Sequence, residues 1–279
     1  MISRRHLVAM APAMALPARL GAAPPDDPGD RLTTIIRMRG STDDRLCAGW
    51  LEAERSTVID GEIVPFCRIL AATVSRFRKA GAGYEATTLE VAYYLDPASG
   101  EVLDTHRFPG AAAAVRVPPY RAGPAKVRYA VEVDEWEENI PTAVGAASTD
   151  FAPRSSVHLQ RNIGVPTSSD GSVYLRTNEY GRVYPDRAAP PTIFYREWMI
   201  WRAAASDLAS SAASIPADFM YSALSSWRPW MKMGAIKGHT AENGRGAKVA
   251  SPAAFPARLQ DLIRARDSDM MQNPAGVLG

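Results

Sequence analysis

The chain has 279 residues, 46% of them apolar and 22% charged, with 32 basic residues against 30 acidic ones. That is enough for one large domain, or two small ones, with a real core. Residues 1–23 hold three basic residues (Arg4, Arg5, Arg19) and no acid. The remainder is therefore near neutral, which excludes an electrostatic footprint for nucleic acid or anionic membrane.

In chain order, Ser3-Arg4-Arg5-His6-Leu7-Val8 sets a twin-arginine pair ahead of a mild apolar run over 7–16 that Pro12 interrupts. Ala22 and Ala23 supply small residues for a cut, and an acidic, proline-bearing linker over 24–30 follows. This pattern predicts a signal peptide for twin-arginine export over 1–23, and hence a periplasmic or secreted protein. An uncleaved basic N-terminus is the alternative. A membrane span needs about 20 apolar residues; Pro17 and Arg19 stop this run early, and no later stretch qualifies.

The centre of the chain reads as strands. Residues 46–55 and 57–59 lead to Asp60-Gly61, a hairpin dipeptide, and 62–76 continues with β-branched residues. Residues 84–95 alternate, with Leu89, Val91 and Tyr93 on one face and Glu90, Ala92 and Tyr94 on the other. A turn over 96–100 leads to a strand over 101–107, and 127–134 alternates again. Residues 155–160, 172–177 and 192–202 are further strands, with turns at Asp170-Gly171 and Tyr180-Gly181. Residues 203–213 fit a helix or a long loop. Ser251 is placed to cap a helix over 253–266 that gathers Phe255, Leu259, Leu262 and Ile263 on one face. The expectation is a mainly β, calycin-like fold, an antiparallel meander closed into a barrel or a sandwich, with a C-terminal helix. It forms a single domain over 31–268, followed by a flexible tail over 269–279. Cys47 and Cys67 either pair or stay as buried thiols, and the sequence leaves both open.

Three stretches carry a family resemblance. Arg39-Gly40-Ser41-Thr42-Asp43 precedes the strand centred on Trp50, residues 83–107 form the second, and Trp227-Arg228-Pro229-Trp230-Met231-Lys232-Met233-Gly234 is the most specific. Over roughly 30–268 the chain resembles the bacterial and fungal family catalogued as domain of unknown function 1838. The resemblance implies a fold and an exported location, and no activity that can be carried over residue by residue.

Candidate chemistry falls in three groups. Trp227, Trp230, Met231 and Met233, with Trp198 and Trp201 from the preceding strand and Tyr94, form either a core plug closing a barrel or the wall of a pocket for a hydrophobic ligand. Outside the leader the histidines are His106, His158 and His239. Their spacing argues against a metal site, whereas His239 and His158 are candidates for acid–base work. Glu90, on the Tyr94 face, would have a raised proton affinity if that face points inward. Arg182, beside Tyr180, could bind an oxyanion. No Gly-x-Ser-x-Gly, Gly-x-Gly-x-x-Gly, P-loop or His-Glu-x-x-His is present, so hydrolase-elbow, dinucleotide, nucleotide and zinc-protease readings lose support. The expectation is a cofactor-free acid–base enzyme (dehydratase, isomerase or hydrolase) on a small hydrophobic or aromatic metabolite. Its catalytic candidates are His239, His158, Glu90 and Arg182. The alternative is a periplasmic binding or carrier protein for an apolar ligand, with no catalysis.

Overall fold

A computed structural model describes residues 27–137, 156–185 and 188–279. The predicted export leader and the first residues of the predicted linker lie outside the described residues. The rest of that linker is helical. Asp27 caps α1 (Pro28–Arg39), its carboxylate accepting from the backbone N–H of Gly29 at 2.7 Å, and Pro28 takes a first-turn position that needs no N–H donor.

The strands are β1 (Leu46–Ile59), β2 (Glu62–Ala80), β3 (Gly83–Leu95), β4 (Thr105–His106), β5 (Val115–Arg116), β6 (Tyr120–Tyr129), β7 (Glu132–Glu137), β8 (Ser156–Ile163), β9 (Thr167–Ser169), β10 (Ser172–Tyr184), β11 (Ile193–Ala204), β12 (Ala217–Ser225) and β13 (His239–Val249). β4 and β5 form a small separate hairpin. The others make one antiparallel sheet in the order β6-β3-β2-β1-β13-β12-β11-β10-β8-β7, with β9 alongside β10. Pairing of β1 with β13 joins the two halves of the chain. Near the free edges, the Arg161 guanidinium donates to the carbonyl of Arg128 at 2.9 Å, and Ile163 N–H donates to the carbonyl of Val131 at 2.9 Å. These contacts bring the sheet close to closure as a barrel rather than a sandwich.

Both faces of the middle of β2 and of β3 are covered, which explains why few residues there are exposed. Inward, Ile69, Ala71, Ala86 and Ala92 join the lumen core. Outward, Leu70, Val74, Leu89, Val91 and Tyr93 pack against Leu259, Leu262, Ile263, Met270 and Leu278. The expected C-terminal helix is shorter than predicted. A 3-10 turn (Pro252–Ala254) precedes α3 (Ala257–Arg266), Pro256 separates them, and Ser251 makes no side-chain capping bond. The predicted flexible tail is corrected too. Residues Ser268–Gln272 form α4, and Met270 and Leu278 are buried against the outer face of β2 and β3, which supplies the apolar area that orders them.

Two other expectations change. Of the strand expected over 101–107 only β4 and a single bridge from Val102 to Leu95 form. The segment leaves the sheet so that His106 and Phe108 can pack on Phe66, at 4.6 and 4.8 Å between ring centres. Tyr180-Gly181 is the middle of β10, not a turn. Gly181 is there because the Tyr195 ring of the neighbouring strand lies where a Cβ would stand. Asp60-Gly61 and Asp170-Gly171 do turn, each with two positive φ values. Cys47 is opposite Ser75 and Cys67 opposite Arg55, so the two thiols lie eight residue pairs apart along the β1–β2 hairpin and both are free.

Candidate functional site

The ends of the barrel are occupied by different elements. At one end α1 buries Leu32, Ile35, Ile36 and Met38. Lys248, reaching from β13, holds the C-terminus of α1: its ammonium donates to the carbonyls of Arg37 and Gly40 and to Ser214 Oγ. At the other end lies the aromatic–methionine segment, with Trp230, Met231 and Met233 buried and Trp230 packed on Phe66 and Phe108. That is the plug of the two readings open from the sequence.

Between the caps is a cavity of about 380 Å³, with an adjoining one of about 90 Å³. They share Glu90, Tyr120, Tyr195, Glu197, Tyr221 and Arg228 among their walls. Strand parity places these groups. On β3 the even residues, Glu90 and Tyr94 included, face inward. A bulge opposite Leu89 changes the parity of β6, so Tyr120 and Ala122 before it, and Ala125 and Val127 after it, all line the cavity.

Register then builds a belt of charge. Arg161 on β8 is directly opposite Glu179 on β10, which is opposite Glu197 on β11. Glu197 is opposite Ala223 on β12, Ala223 opposite Glu242 on β13, and Glu242 opposite Arg55 on β1. The outer members pair off: Arg161 contacts Glu179 at 2.6 Å and Arg55 contacts Glu242 at 2.7 Å. Glu197, in the middle, makes no salt bridge among the described residues. Its one side-chain hydrogen bond among the described residues is from the Tyr221 hydroxyl at 3.4 Å, and that hydroxyl also reaches Glu242 at 3.3 Å.

The electrostatics follow. Burial works against ionisation of Glu179, but Arg161 outweighs it and holds that carboxyl below its usual range. Burial, followed by the charges of Glu179 and Glu242, pushes Glu197 up to about 8. Burial raises Glu90 to about 7, moderated by Arg39. The hydroxyl of Tyr120 is pushed well up, first by the charge of Glu90 and then by burial. Arg39, at the end of α1, lies over the rings of Tyr129 and Trp201, at 5.4 and 5.7 Å from their centres.

Of the residues singled out in the sequence, Glu90 and Trp201 line the main cavity and Tyr94 the smaller one. Trp227 donates to the carbonyl of Ile236 at 2.8 Å within the plug. Trp198 stands outside, stacked with Arg196. His158 is on the outer face, 2.7 Å from Asp134 and beside Trp136. Arg182 is its cross-strand neighbour there, bonded to the Tyr180 hydroxyl at 2.8 Å. His239 begins β13, opposite Val58, with outward parity. The three histidines and Glu90 are therefore not brought together. Among the described residues there is no group of three or more His, Cys, Asp or Glu that could hold a metal ion, and no helix long and apolar enough to cross a membrane.

The sequence reading gave no role to Tyr221 or Glu242, and it met Arg39 and Arg228 only inside family motifs and Glu179 and Glu197 only as charges beside aromatic residues. Their common signal was parity: each of the four on strands sits on the apolar-facing register of its strand. No curated protein matches the chain. Residues 177–277, which carry Glu179, Glu197, Tyr221, Arg228 and Glu242, match the model of the family described as Protein of unknown function (DUF1838), and over that stretch the resemblance drawn from the sequence motifs holds.

Proposed function

We propose that the barrel is a cofactor-free acid–base enzyme that moves a proton on a small molecule held in the lumen, with Glu197 as acid and Glu90 as base. The observation that carries this is the position of Glu197. The two arginines of the belt are paired with Glu179 and Glu242, so the proton of Glu197 is the one the belt retains near neutral pH. Glu90 borders the same cavity and titrates close to neutrality, where a general base is most effective. Ionised Glu90 takes a proton from a carbon beside a carbonyl while Glu197 gives its proton to the carbonyl oxygen. Where the substrate carries a C=C bond beyond that carbon, the dienol returns its O–H proton to Glu197 as Glu90 delivers its proton to the far carbon of that bond, and the double bond shifts into conjugation. Both carboxyls end as they began, and the net change is an isomerisation. Arg228, which also lowers the proton affinity of Glu197, stabilises the developing oxyanion. The outward His239, His158 and Arg182 take no part in these steps.

The test is deuterium exchange. Enolisable carbonyl compounds are incubated with the protein in heavy water and read by NMR. Wild type incorporates deuterium beside the carbonyl, and Glu90→Gln and Glu197→Gln each slow this by about 10²-fold or more. Exchange that is absent, or equally fast in both variants, refutes the enzyme reading; binding without exchange makes the barrel a carrier. Export to the periplasm belongs to the same proposal and rests on Arg4-Arg5. A reporter fused to residues 1–30 that is still exported after Arg4→Lys and Arg5→Lys would argue against the twin-arginine route.

A further inference from the structure

We infer that the molecule taken into the lumen is a small organic acid, its carboxylate seated on Arg39 at the α1 end of the cavity. The inference rests on the lumen being the binding site, and it adds the chemical class of what binds.

The argument is a charge inventory. Arg55 and Arg161 are spent on Glu242 and Glu179. That leaves Arg39, Arg228 and Lys248 as cations on the cavity wall, and none of the three pairs with a carboxylate among the described residues. Facing them are Glu197, whose burial favours the neutral form near pH 7, and Glu90, about half ionised there, so three cations outnumber the charge of the two carboxyls. The cavity therefore holds positive charge that no described side chain balances. Partly desolvated and unpaired, such charge is costly, and a bound anion offsets it.

Arg39 is the best seat of the three. The three donors of Lys248 are engaged by two carbonyls and a hydroxyl at the end of α1. Arg228 is the partner of Glu197 in the proposed chemistry. Arg39 lies over two aromatic rings, at 5.4 and 5.7 Å from their centres, and its one hydrogen bond among the described residues is to Met199 Sδ at 3.9 Å. A guanidinium packed on aromatic rings, with no carboxylate partner among the described residues, is preorganised for two-point binding of a carboxylate. Arg39 is also close enough to Glu90 to lower its proton affinity. An acid seated there presents its adjacent carbons toward the base. A cavity of about 380 Å³ lies within the range of small-molecule pockets.

The experiment is calorimetric titration at pH 7 with a panel of carboxylic acids of about four to ten carbons, each beside its uncharged amide, an isostere that tests charge rather than shape. At least one acid should bind tenfold or more tighter than its amide. Arg39→Gln should abolish that preference, Arg39→Lys should keep part of it, and Arg182→Gln, on the outer face, should keep all of it. Near-ultraviolet circular dichroism identifies any variant that has lost its packing. If no acid outbinds its amide, or if the preference survives in folded Arg39→Gln, the inference is wrong. An acid that binds through Arg39 without deuterium exchange supports the seat and refutes the proton transfer. Exchange on a neutral ketone with no preference for acids does the reverse.

Discussion

Replacing Glu197 by Gln should change how stability depends on pH. In the native barrel the Glu197 carboxyl is pushed up to about 8 by burial and by Glu179 and Glu242, whereas in the unfolded chain it titrates near 4.3. Between those values the native state holds a proton that the unfolded state has lost, so stability is fully present below the lower value and drains away as pH rises through the upper one. At about 1.4 kcal/mol per pH unit, easing as the native carboxyl itself titrates, the two units from pH 6 to pH 8 cost wild type roughly 2–2.5 kcal/mol. Glu90, raised to about 7, adds roughly 1–1.5 kcal/mol over the same range. The amide of Glu197→Gln does not titrate, so the variant should lose only the Glu90 share. Urea denaturation of both proteins at pH 6, 7, 8 and 9 reads the difference. The variant should gain on wild type by roughly 2.5–3 kcal/mol from pH 6 to pH 9, or about 5–10 °C in midpoint for a domain of this size. Parallel profiles would mean that Glu197 is not the group holding the proton, and the acid role would fall with it.

Arg161→Met leaves Glu179 buried without its cation and should cost about 3–5 kcal/mol, more at pH 8 than at pH 5, by denaturant titration. Gly181→Ala puts a methyl group into the Tyr195 ring; about 1–3 kcal/mol of destabilisation and an altered near-ultraviolet spectrum are expected. Met270→Ala opens a void under α4 and should cost about 2–5 kcal/mol, whereas a dangling tail would show nothing. His239→Ala, on the outer parity of β13, should change the thermal midpoint by no more than a surface substitution does, about 0.5 kcal/mol, and leave deuterium exchange intact.

How much of this was legible depends on range. Local alternation was enough to put Glu90 and Tyr94 on one face of β3, and the glycine turns at Gly61 and Gly171 announced two hairpins. The belt was not legible, because Glu179, Glu197 and Glu242 are joined only by the register of β10 to β13, and each alone looks like an ordinary strand charge. β13 hid for a related reason. Its Asn243-Gly244 pair has the composition of a turn, yet it lies in the middle of a strand where Gly244 lets β1 approach closely. The tail was misjudged because Met270 and Leu278 sit in short apolar pairs with no helical or strand period, and their partners, on β2 and β3, are nearly two hundred positions away.

The belt also has a consequence for how the chain finds its fold. Because strand side chains alternate, a slip of one residue between β8 and β10, or between β13 and β1, would carry a carboxylate from the lumen to the outer surface. The same slip would strand Arg55 or Arg161 inside without a counter-charge, a penalty of several kcal/mol per ion. A wall of interchangeable aliphatics would forgive such an error. Here the ion pairs act as a ruler on the sheet, admitting one alignment of β8 on β10 and of β13 on β1 and rejecting the neighbouring ones.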